Sequence, residues 1–420
     1  MDFLYLLVVY LAAPVHAAFL TVRKRSAPGE LAERFGFGRP IDGAPLWIHA
    51  ASVGEVQLAA GLVRALRARD PSLPILLTVF TRTGAARAIA LGGDLSVRYL
   101  PYDLPGAVHR FLERTRPRLA VVLETELWPT LYRACRRRQI KLMIANARLS
   151  SRSARSYRRF GALFRRTLAG VTVAAQTHED AHRFRALGAA ADHIHVIGNL
   201  KFDSTPPAGL AARAARLRER YAPGRPMWVA GSTHPGEEEI VIAAHAQMRK
   251  RLPQALLVLA PRHPQRCDAV AALLAADHLP YLRHSRATAA DIPAAAAVLL
   301  LDTLGELQDF YGAADAVFVG GSLVPIGGHN LLEPAALGRA LATGPHVFNT
   351  AQIADVLVAC GGARIVPDAP ALASCMSAWL LDATERARVG ARAQTALEAN
   401  RGALARLLEL LEPLLDAARP

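Results

Sequence analysis

Residues 320–338 read Gly-Gly-Ser-Leu-Val-Pro-Ile-Gly-Gly-His-Asn-Leu-Leu-Glu-Pro-Ala-Ala-Leu-Gly and follow the apolar run from Ala316 to Val319. The pattern predicts a strand that leads into two glycine pairs and then into a helix. Glycine lets backbone N–H groups approach a ligand where a Cβ atom would collide, and a helix N-terminus adds unpaired donors and a partial positive charge. The stretch therefore predicts an anion site suited to phosphate at the carboxyl end of a strand.

Asn330 and Glu333 stand at the start of the predicted helix. They are three residues apart and share one helical face, where a carboxylate can accept hydrogen bonds from adjacent sugar hydroxyls. The same pair fits a capping box, in which the two side chains only start the helix. Two glycine pairs are more than a cap requires, so we interpret the pair as ligand-binding and keep capping as the alternative.

An alternation of short apolar runs with helical patterns extends along the chain and is typical of parallel α/β units. A polar, proline-marked break at residues 201–209 separates two such series. We therefore predict two α/β domains with a cleft between them. The candidate strands are residues 46–50, 75–80, 118–123, 141–145 and 171–175 before the break, and 227–230, 255–260, 298–301 and 316–319 after it.

The two predicted domains open with similar loops. Residues 47–55 read Trp-Ile-His-Ala-Ala-Ser-Val-Gly-Glu, and residues 228–237 read Trp-Val-Ala-Gly-Ser-Thr-His-Pro-Gly-Glu. Each stretch runs from a first strand to Gly-Glu at a helix start, which is where open α/β sheets bind ligands. The alternative is that both loops only cap helices, and Ser52 with Glu55 does fit a capping box.

The composition limits the partners of the chain. A length of 420 residues fits two domains of ordinary size, and a hydrophobic content of 52% supports packed cores. The formal net charge of +15 indicates a negatively charged partner: nucleic acid, an anionic membrane surface or a phosphorylated substrate. Four cysteines without Cys-x-x-Cys spacing argue against a disulfide framework or structural zinc and fit a reducing compartment.

The N-terminus predicts a membrane anchor. No residue from Phe3 to Val22 is formally charged, and about 20 apolar residues suffice for a helix to cross a bilayer. Asp2 precedes this run and Arg-Lys-Arg at residues 23–25 follows it, which is the wrong charge order for a signal peptide. By the positive-inside rule, the rest of the chain is expected in the cytoplasm, tethered to the membrane. A buried core helix is the alternative.

Eight segments together carry a resemblance to a known family, and they cover nearly all of the chain after the anchor. The segments are 48–55 (IHAASVGE), 124–129 (ETELWP), 146–150 (NARLS), 198–203 (GNLKFD), 231–237 (GSTHPGE), 260–264 (APRHP), 305–306 (GE) and 320–334. Their order and spacing resemble the 3-deoxy-D-manno-octulosonic acid (Kdo) transferases of Gram-negative lipopolysaccharide synthesis.

The resemblance implies a GT-B fold: two Rossmann-like α/β domains preceded by an N-terminal membrane anchor helix. Residues 1–25 are then the anchor, 26–203 the acceptor-binding domain, and 204–420 the CMP-sugar-binding domain, whose last helix has the option of packing back on the N-terminal domain. It further implies an inverting enzyme without metal or other cofactor. Such an enzyme moves Kdo from CMP-Kdo to the lipid A precursor lipid IVA, on the cytoplasmic side of an anionic inner membrane.

The resemblance also assigns roles to individual residues. Glu55 matches the proton acceptor, and Glu126 and Lys201 match the positions that stabilise the transition state. Inverting transfer independently needs a base on the acceptor hydroxyl, stabilisation of charge at the anomeric carbon and a holder for the departing phosphate. Ser232 and Thr233 are secondary candidates for phosphate contact. The positions that match CMP contacts are Pro261, Arg262, Leu304, Gly305, Glu306, Asn330, Leu331, Leu332 and Glu333.

One physical argument opposes the base assignment. A carboxylate in a first helical turn has its pKa lowered by the helix dipole, which is the wrong direction for a strong base. We expect burial against the acceptor to offset this effect on Glu55.

A basic segment and a histidine pair complete the candidates. Arginines interleaved with aromatic residues between Arg148 and Arg166 are interpreted as a surface for anionic lipid and a phosphorylated glycolipid, with a solvated charged face as the alternative. His178 and His182 match the zinc pattern His-Glu-x-x-His, but no third ligand follows at the spacing such sites use, so we expect no metal.

Three other functions compete with Kdo transfer. The nearest is a GT-B glycosyltransferase that uses a uridine nucleotide sugar. A membrane-tethered nucleic-acid-binding protein would explain the positive charge but not the glycine loops, and the chain has no recognised nucleic-acid motif, so no nucleic-acid partner is expected. A zinc hydrolase would rest on the histidine pair alone.

Overall fold

Two parallel β-sheets, one in each of two structural units, organise the chain. The computed structural model describes residues 2–22, 29–287 and 296–417. One unit takes Met1–Asp203 and Arg401–Pro420, and the other takes Ser204–Asn400. The predicted α/β class with two parallel sheets is confirmed. Residues 23–25, on which the predicted membrane orientation depends, lie outside the described residues.

All nine predicted strands are present, and the described residues form five more. The strands are β1 (Leu46–His49), β2 (Ile75–Val79), β3 (Leu95–Tyr99), β4 (Leu119–Leu123), β5 (Lys141–Ala147), β6 (Val171–Ala175), β7 (Ile194–Val196), β8 (Met227–Thr233), β9 (Leu256–Pro261), β10 (Tyr281–Arg283), β11 (Val298–Leu300), β12 (Ala316–Val319), β13 (Ala340–Thr343) and β14 (Ala363–Ile365). Sequence reasoning missed β3, β7, β10, β13 and β14. Four of these are edge strands, which are half exposed and therefore lack a continuous apolar run.

The helices fill the connections between strands. They are α1 (Asp2–Val22), α2 (Glu30–Arg34), α3 (Val53–Arg69), α4 (Arg82–Ile89), α5 (Pro105–Thr115), α6 (Pro129–Arg137), α7 (Ser151–Arg158), α8 (Gly161–Leu168), α9 (His178–Ala186), α10 (Leu210–Tyr221), α11 (Glu238–Arg249), α12 (Cys267–Ala276), α13 (Leu307–Ala313), α14 (Leu332–Ala336), α15 (Ala351–Ala359), α16 (Ala369–Leu381), α17 (Ala383–Ala399) and α18 (Ala403–Asp416).

In the first unit, the sheet order is β3-β2-β1-β4-β5-β6-β7 and all strands are parallel. The chain moves outward from β1 to β3 and then returns to β4 on the other side of β1, which creates a switch point between β1 and β4. Ligands of open α/β sheets bind at the carboxyl ends of the strands beside such a point. Both strands are fully buried, with Ile48 and Val121 in one core cluster and Trp47 and Val122 in another. The loops that follow them therefore start from rigid positions.

The second unit repeats this plan. Its sheet has the order β10-β11-β9-β8-β12-β13-β14, again with all strands parallel, and its switch point lies between β8 and β12. Trp228, Ala230 and Phe318 from these two strands are buried in one core cluster. The quoted stretch 320–338 begins directly after β12 and therefore lies at the switch point.

The first and last helices both belong to the first unit. The Asp203 carboxylate accepts hydrogen bonds from Gly402 N at 2.6 Å and Leu404 N at 2.7 Å, which fixes the start of α18, and Leu407 is buried in the core. Helix α1 contacts the unit along one side, where Ala13 packs with residues of the segment 102–107. By length and composition only, α1 is the one helix among the described residues that could cross a membrane.

Candidate active site

Glu55 lies in the first turn of α3, at the switch point of the first unit. Its carboxylate accepts hydrogen bonds from Ala51 N at 2.8 Å and Ser52 Oγ at 3.0 Å, and Ser52 Oγ accepts from Glu55 N at 3.4 Å. Ser52 therefore caps α3 as predicted, whereas the Glu55 carboxylate binds Ala51 N in place of the Ser52 N of a standard capping box. Glu55 is only 9% exposed, and this burial raises the pKa of its carboxyl, with the negative charge of Glu124 adding to the rise. Burial within the unit thus already opposes the helix dipole.

Glu126 lies in the loop that follows β4, beside Glu55. Burial raises the pKa of the Glu126 carboxyl to about 7, the negative charge of Glu55 adds to the rise, and the indole N–H of Trp128 opposes it. Tyr132 Oη donates to the backbone oxygen of Glu126 at 2.8 Å, which ties the loop to α6. A carboxyl whose pKa lies near neutrality in such a place is a candidate for proton transfer or charge stabilisation.

Lys201 lies in a 3₁₀ turn, Leu200–Asp203, which follows β7, the last strand of the first unit's sheet. Its Nζ forms an ion pair with Glu124 Oε1 at 3.1 Å, and its positive charge acts to lower the pKa of Glu55. The turn is held by Asn199, whose Oδ1 accepts from Lys201 N at 3.0 Å, and by Asn146, whose Oδ1 accepts from Leu200 N at 3.0 Å. Lys201 is therefore fixed beside the carboxylates and is not a freely solvated linker lysine.

Glu55 and Glu126 line one pocket of about 230 Å³. Acidic, basic and hydroxyl-bearing groups share its wall, a combination that suits a sugar with charged substituents. The other lining residues are Glu124, Thr125, Arg148, Leu149, Ser150, Ser153 and Tyr157. Five of them belong to the first part of the predicted basic segment: Arg148, Leu149, Ser150, Ser153 and Tyr157.

The corresponding glutamate of the second unit, Glu237, has a different environment. It is 0% exposed, and its carboxylate accepts four backbone hydrogen bonds. The donors are Gly321 N at 2.7 Å, His234 N at 3.2 Å, Ser322 N at 3.0 Å and Leu323 N at 2.9 Å. Gly320 is required here, because a Cβ atom would lie 2.7 Å from Glu237 Oε2 and 2.8 Å from Ser232 O.

This arrangement corrects the prediction for the first glycine pair. The amides after β12 do form an anion site, but the anion they bind is the carboxylate of Glu237. Phosphate is therefore not the ligand of the Gly320–Leu323 amides, and any phosphate bound to this unit must use other donors.

Arg262 supplies such a donor. Its backbone N–H donates to Thr233 O at 2.9 Å, which places it beside the end of β8, and its exposed guanidinium forms no ion pair among the described residues. His234 Nε2 and His329 Nε2 lie 2.8 Å apart with stacked rings, and His263 packs edge-on against His234. Burial lowers the pKa of His329 to about 4, so its imidazole is neutral at pH 7. One guanidinium and three imidazoles therefore surround a place suited to an anion.

The remaining predicted donor-side residues lie at the same edge of the sheet. Leu304 is 79% exposed, and Gly305 adopts a φ of 89°. The Glu306 carboxylate lies 3.3 Å from His284 Nε2. Asn330 Nδ2 donates to Glu333 Oε1 at 3.1 Å, and burial raises the pKa of the Glu333 carboxyl.

Asn330 also supports the start of the helix, since its Oδ1 accepts from Leu332 N at 3.1 Å. The N-cap is Leu331 and has no side-chain cap bond, so Asn330 and Glu333 do not form the reciprocal capping box and bond to each other through their side chains.

Four of the predicted contact residues are buried, which restricts how they can touch a ligand. The Thr233 side chain is fully buried, so its hydroxyl does not face a ligand, whereas Ser232 is partly exposed. Leu331 and Leu332 are 0% and 1% exposed, which restricts any contact with a nucleotide to their backbone atoms. Pro261 is likewise buried and pairs in register with Thr233, so the exposed contact of that segment is Arg262.

Sequence reasoning missed several residues of these two sites. Glu124, His234, His263 and His329 all lie within the segments that carry the family resemblance, but none was assigned a role, and Arg148 was assigned only to the lipid-binding segment. For Glu124, Arg148, His234 and His263 the available signal was a position within two residues of a strand end. Their partners could not be read from the sequence, because the Glu124–Lys201 pair and the His234–His329 pair each join distant segments.

Comparison with known proteins gives a consistent result. The family profile for 3-deoxy-D-manno-octulosonic-acid transferase matches residues 29–204. A 3-deoxy-D-manno-octulosonic acid transferase of Haemophilus influenzae is 39% identical over 99% of this chain and 99% of its own length, and one of Bordetella pertussis is 39% identical over 95% and 96%.

A solved structure supports the fold. The UDP-GlcNAc 2-epimerase of Neisseria meningitidis, bound to UDP-GlcNAc, is similar with a TM-score of 0.59 and 13% identity, over 88% of this chain and 100% of the epimerase. At this identity the likeness shows the fold alone. The two full-length relatives, together with the profile, show the family. The chain therefore belongs to the 3-deoxy-D-manno-octulosonic acid transferases and is a glycosyltransferase of GT-B fold.

Proposed function

We propose that this enzyme transfers Kdo from CMP-Kdo to the lipid A precursor lipid IVA, with inversion at the anomeric carbon, in lipopolysaccharide biosynthesis. The observation that carries the proposal is the pair Glu55 and Glu126 at the switch point of the first unit. Both carboxyls are largely buried, both have a raised pKa, and both line one pocket. A raised pKa suits a carboxyl that exchanges protons or responds to developing charge.

In the proposed step, Glu55 accepts the proton of the acceptor hydroxyl. The hydroxyl oxygen forms a bond to C2 of Kdo while the bond from C2 to the phosphate oxygen breaks, and CMP leaves with the electron pair. A single displacement from the face opposite the leaving group inverts the anomeric configuration. The proton on Glu55 is then released to solvent, so one base serves each turnover.

Glu126 and Lys201 are proposed to stabilise the transition state. A carboxylate near the anomeric carbon favours the positive charge that develops as the C–O bond breaks. Lys201, paired with Glu124 at 3.1 Å, supplies a positive charge for the carboxylate of Kdo or for its phosphate. Because the pKa of Glu126 lies at about 7, its contribution as an anion increases as the pH rises through neutrality.

The second unit is proposed to bind CMP. Arg262 offers a planar donor pair that matches two phosphate oxygens, and the imidazole rings of His234, His263 and His329 lie beside it. The exposed loop of Leu304, Gly305 and Glu306 and the pair Asn330 and Glu333 are the proposed contacts for the rest of the nucleotide. Ser232 is kept as a secondary phosphate contact.

We further propose that the enzyme works at the cytoplasmic face of an anionic inner membrane. Helix α1 exposes Phe3, Leu11 and Val15 by 79%, 64% and 69%. Two of its side chains, Tyr5 and His16, bond to the first unit, and they are about 16 Å apart along the helix. We therefore propose that α1 lies in the membrane surface with its exposed face in lipid, and does not cross the bilayer as a free span.

The basic helices α7 and α8 are the proposed contact for lipid phosphates. Arg152, Arg155, Arg158 and Arg165 are exposed, whereas Phe164 between them is buried. Some apolar residues of the segment are thus buried in the core, whereas the arginines are exposed and can contact anionic groups.

The test is product analysis with purified full-length protein, CMP-Kdo and lipid IVA. We expect mass spectrometry to show addition of Kdo, and NMR of the product to show the anomeric configuration opposite to that in CMP-Kdo. The matched control replaces CMP-Kdo with a uridine nucleotide sugar and should give no product. Transfer from the uridine sugar would favour the rival glycosyltransferase, and retained configuration would contradict the single displacement.

A further inference from the structure

Helix α1 makes two sets of contacts that lead toward the loop carrying Glu126. The first set passes through Asp103, which is 2% exposed. Asp103 Oδ2 accepts a hydrogen bond from Tyr5 Oη at 2.6 Å. The same carboxylate accepts from Thr130 N at 2.8 Å and Leu131 N at 2.7 Å, which are the first-turn amides of α6. One buried carboxylate therefore joins α1 to the N-terminus of α6.

Helix α6 is in turn bonded to the catalytic loop. It begins at Pro129, three residues after Glu126, and its Tyr132 Oη donates to Glu126 O at 2.8 Å. A shift of the first turn of α6 must therefore move the backbone of Glu126. Burial raises the pKa of Asp103 to about 6, so its carboxylate is ionised at neutral pH and binds its donors as an anion.

The second set is a stack of rings. His16 packs against Phe80 with centroids 6.2 Å apart, and Phe80 packs against Trp128 with centroids 6.1 Å apart. His16 is also held by Tyr102, whose Oη lies 2.9 Å from His16 Nδ1. Trp128 ends the loop that begins at Glu124 and follows Glu126 by two residues. Two independent sets of contacts from α1 thus reach the segment that carries Glu126, one through α6 and one through Trp128.

We propose that α1 is a positioning element for Glu126, with Tyr5 and His16 as positioning residues, in addition to any role in membrane attachment. The inference rests on the proposed role of Glu126 in the transition state. A helix that only anchors the enzyme has no need of a buried hydrogen bond to a carboxylate that caps α6. The side of α1 that bears these contacts is distinct from its exposed apolar side, so the two roles use different residues.

The test compares Tyr5→Phe with Tyr10→Phe in the full-length enzyme. Both substitutions remove one hydroxyl from the same helix, but Tyr10 is 54% exposed and has no partner among the described residues. We expect Tyr5→Phe to lower kcat about tenfold, as the loss of one buried charge-assisted hydrogen bond would, without changing the KM for CMP-Kdo. Tyr10→Phe should match the wild type, and both variants should bind anionic vesicles equally.

A double-mutant cycle with Glu126→Gln separates positioning from general destabilisation. If Tyr5 acts through Glu126, Tyr5→Phe should lower kcat in the wild type and have little further effect in Glu126→Gln. An equal reduction in both backgrounds, or a Tyr5→Phe variant as active as Tyr10→Phe, would overturn the inference while leaving the proposed chemistry intact. A fully active Glu126→Gln variant would instead overturn the role of Glu126 itself.

Hydrogen exchange provides a second measurement that does not depend on turnover. The Thr130 and Leu131 amides should exchange faster in Tyr5→Phe than in Tyr10→Phe, because Asp103 loses the donor that fixes its orientation. Unchanged exchange at both amides would show that α1 does not hold α6, and would overturn the inference.

Discussion

Glu55 and Glu237 occupy equivalent places in the two units and have opposite environments. Each ends a stretch that starts with tryptophan in the first strand, passes through small and hydroxyl residues, and reaches Gly-Glu at a switch point. Glu55 has one backbone and one hydroxyl donor and lines a pocket, whereas Glu237 is fully buried with four backbone donors. One carboxylate is left available for chemistry and the other holds the fold.

The neighbouring strand in space decides this difference. In the first unit, the loop after β4 presents Glu124 and Glu126. The negative charge of Glu124 raises the pKa of Glu55, and the negative charge of Glu55 raises the pKa of Glu126. In the second unit, the loop after β12 presents the amides of Gly321, Ser322 and Leu323, which bind the carboxylate of Glu237. The same Gly-Glu motif thus lines a pocket beside carboxylates and is fully bonded beside amides.

Replacement of Glu55 by Gln is expected to have the largest effect. Loss of the general base should lower kcat about a thousandfold, which corresponds to about 4 kcal/mol. Thermal stability and CMP affinity should remain at wild-type levels, because the amide keeps most of the capping contacts. Glu113→Gln, on the exposed surface of the same unit, is the matched control in assays of Kdo transfer. Substantial activity in Glu55→Gln would sink the base assignment.

Replacement of Glu237 by Gln should instead affect stability. The amide group would face two backbone donors with its own N–H groups, so we expect a loss of about 3 kcal/mol in the free energy of unfolding. Glu239→Gln, two residues away and exposed, should change the free energy of unfolding by less than about 0.5 kcal/mol. Chemical denaturation of both variants measures the difference. Equal stability of the two variants would show that Glu237 does not stabilise the fold, and would contradict the proposed difference between Glu55 and Glu237.

Replacement of Arg262 by Ala tests whether a side chain binds the CMP phosphate in the second unit. Since Glu237 occupies the glycine-loop amides, side chains must bind the CMP phosphate, and loss of the guanidinium should weaken CMP binding about 30-fold. Calorimetric titration with CMP measures this, and Arg251→Ala, an exposed arginine of the same unit, serves as the control. Unaltered CMP affinity in Arg262→Ala would indicate that backbone amides, and not this side chain, bind the CMP phosphate.

Glu126→Gln should have the smallest effect on stability, and this effect depends on pH. The pKa of Glu126 is raised to about 7, so the wild type loses stability as pH rises from the unfolded pKa through 7, whereas Gln has no such loss. We therefore expect the variant to be more stable than the wild type by about 2 kcal/mol at pH 8, with no difference near pH 4. Denaturant melts at both values measure this.

The same variant also tests the ionised form of Glu126 in catalysis. Wild-type kcat should rise as pH increases through about 7, and this rise should be absent in Glu126→Gln. If the pH profile of kcat in Glu126→Gln matched that of the wild type, another group would be responsible for the rise.

The sequence predicted the central strands and the segments of both sites because these features are local. Buried parallel strands such as β1, β4, β8 and β12 are continuous apolar runs, and the loops that follow them carry glycines, carboxylates and arginine in short motifs. Edge strands such as β3 and β7 escaped prediction because partial exposure admits polar residues and breaks the apolar pattern.

The contacts between distant segments could not be predicted in this way. Lys201 pairs with Glu124 across 77 residues, and Glu237 binds an amide 84 residues away in the chain. Tyr5 meets Asp103 across 98 residues. No local pattern in the sequence encodes which side chains meet after folding. All of these residues except Asp103 lie in a segment singled out from the sequence or in the predicted anchor.

The sequence by itself therefore determined the fold class, the family and the segments that follow the central strands, since apolar periodicity and glycine-rich turns act over a few residues. Only the tertiary structure decided which Gly-Glu motif lines a pocket, which amides are already occupied and how α1 is tied to the loop of Glu126. The physical reason is that burial, pKa and hydrogen-bond supply are set by neighbours in space, and at both switch points these neighbours come from a different strand.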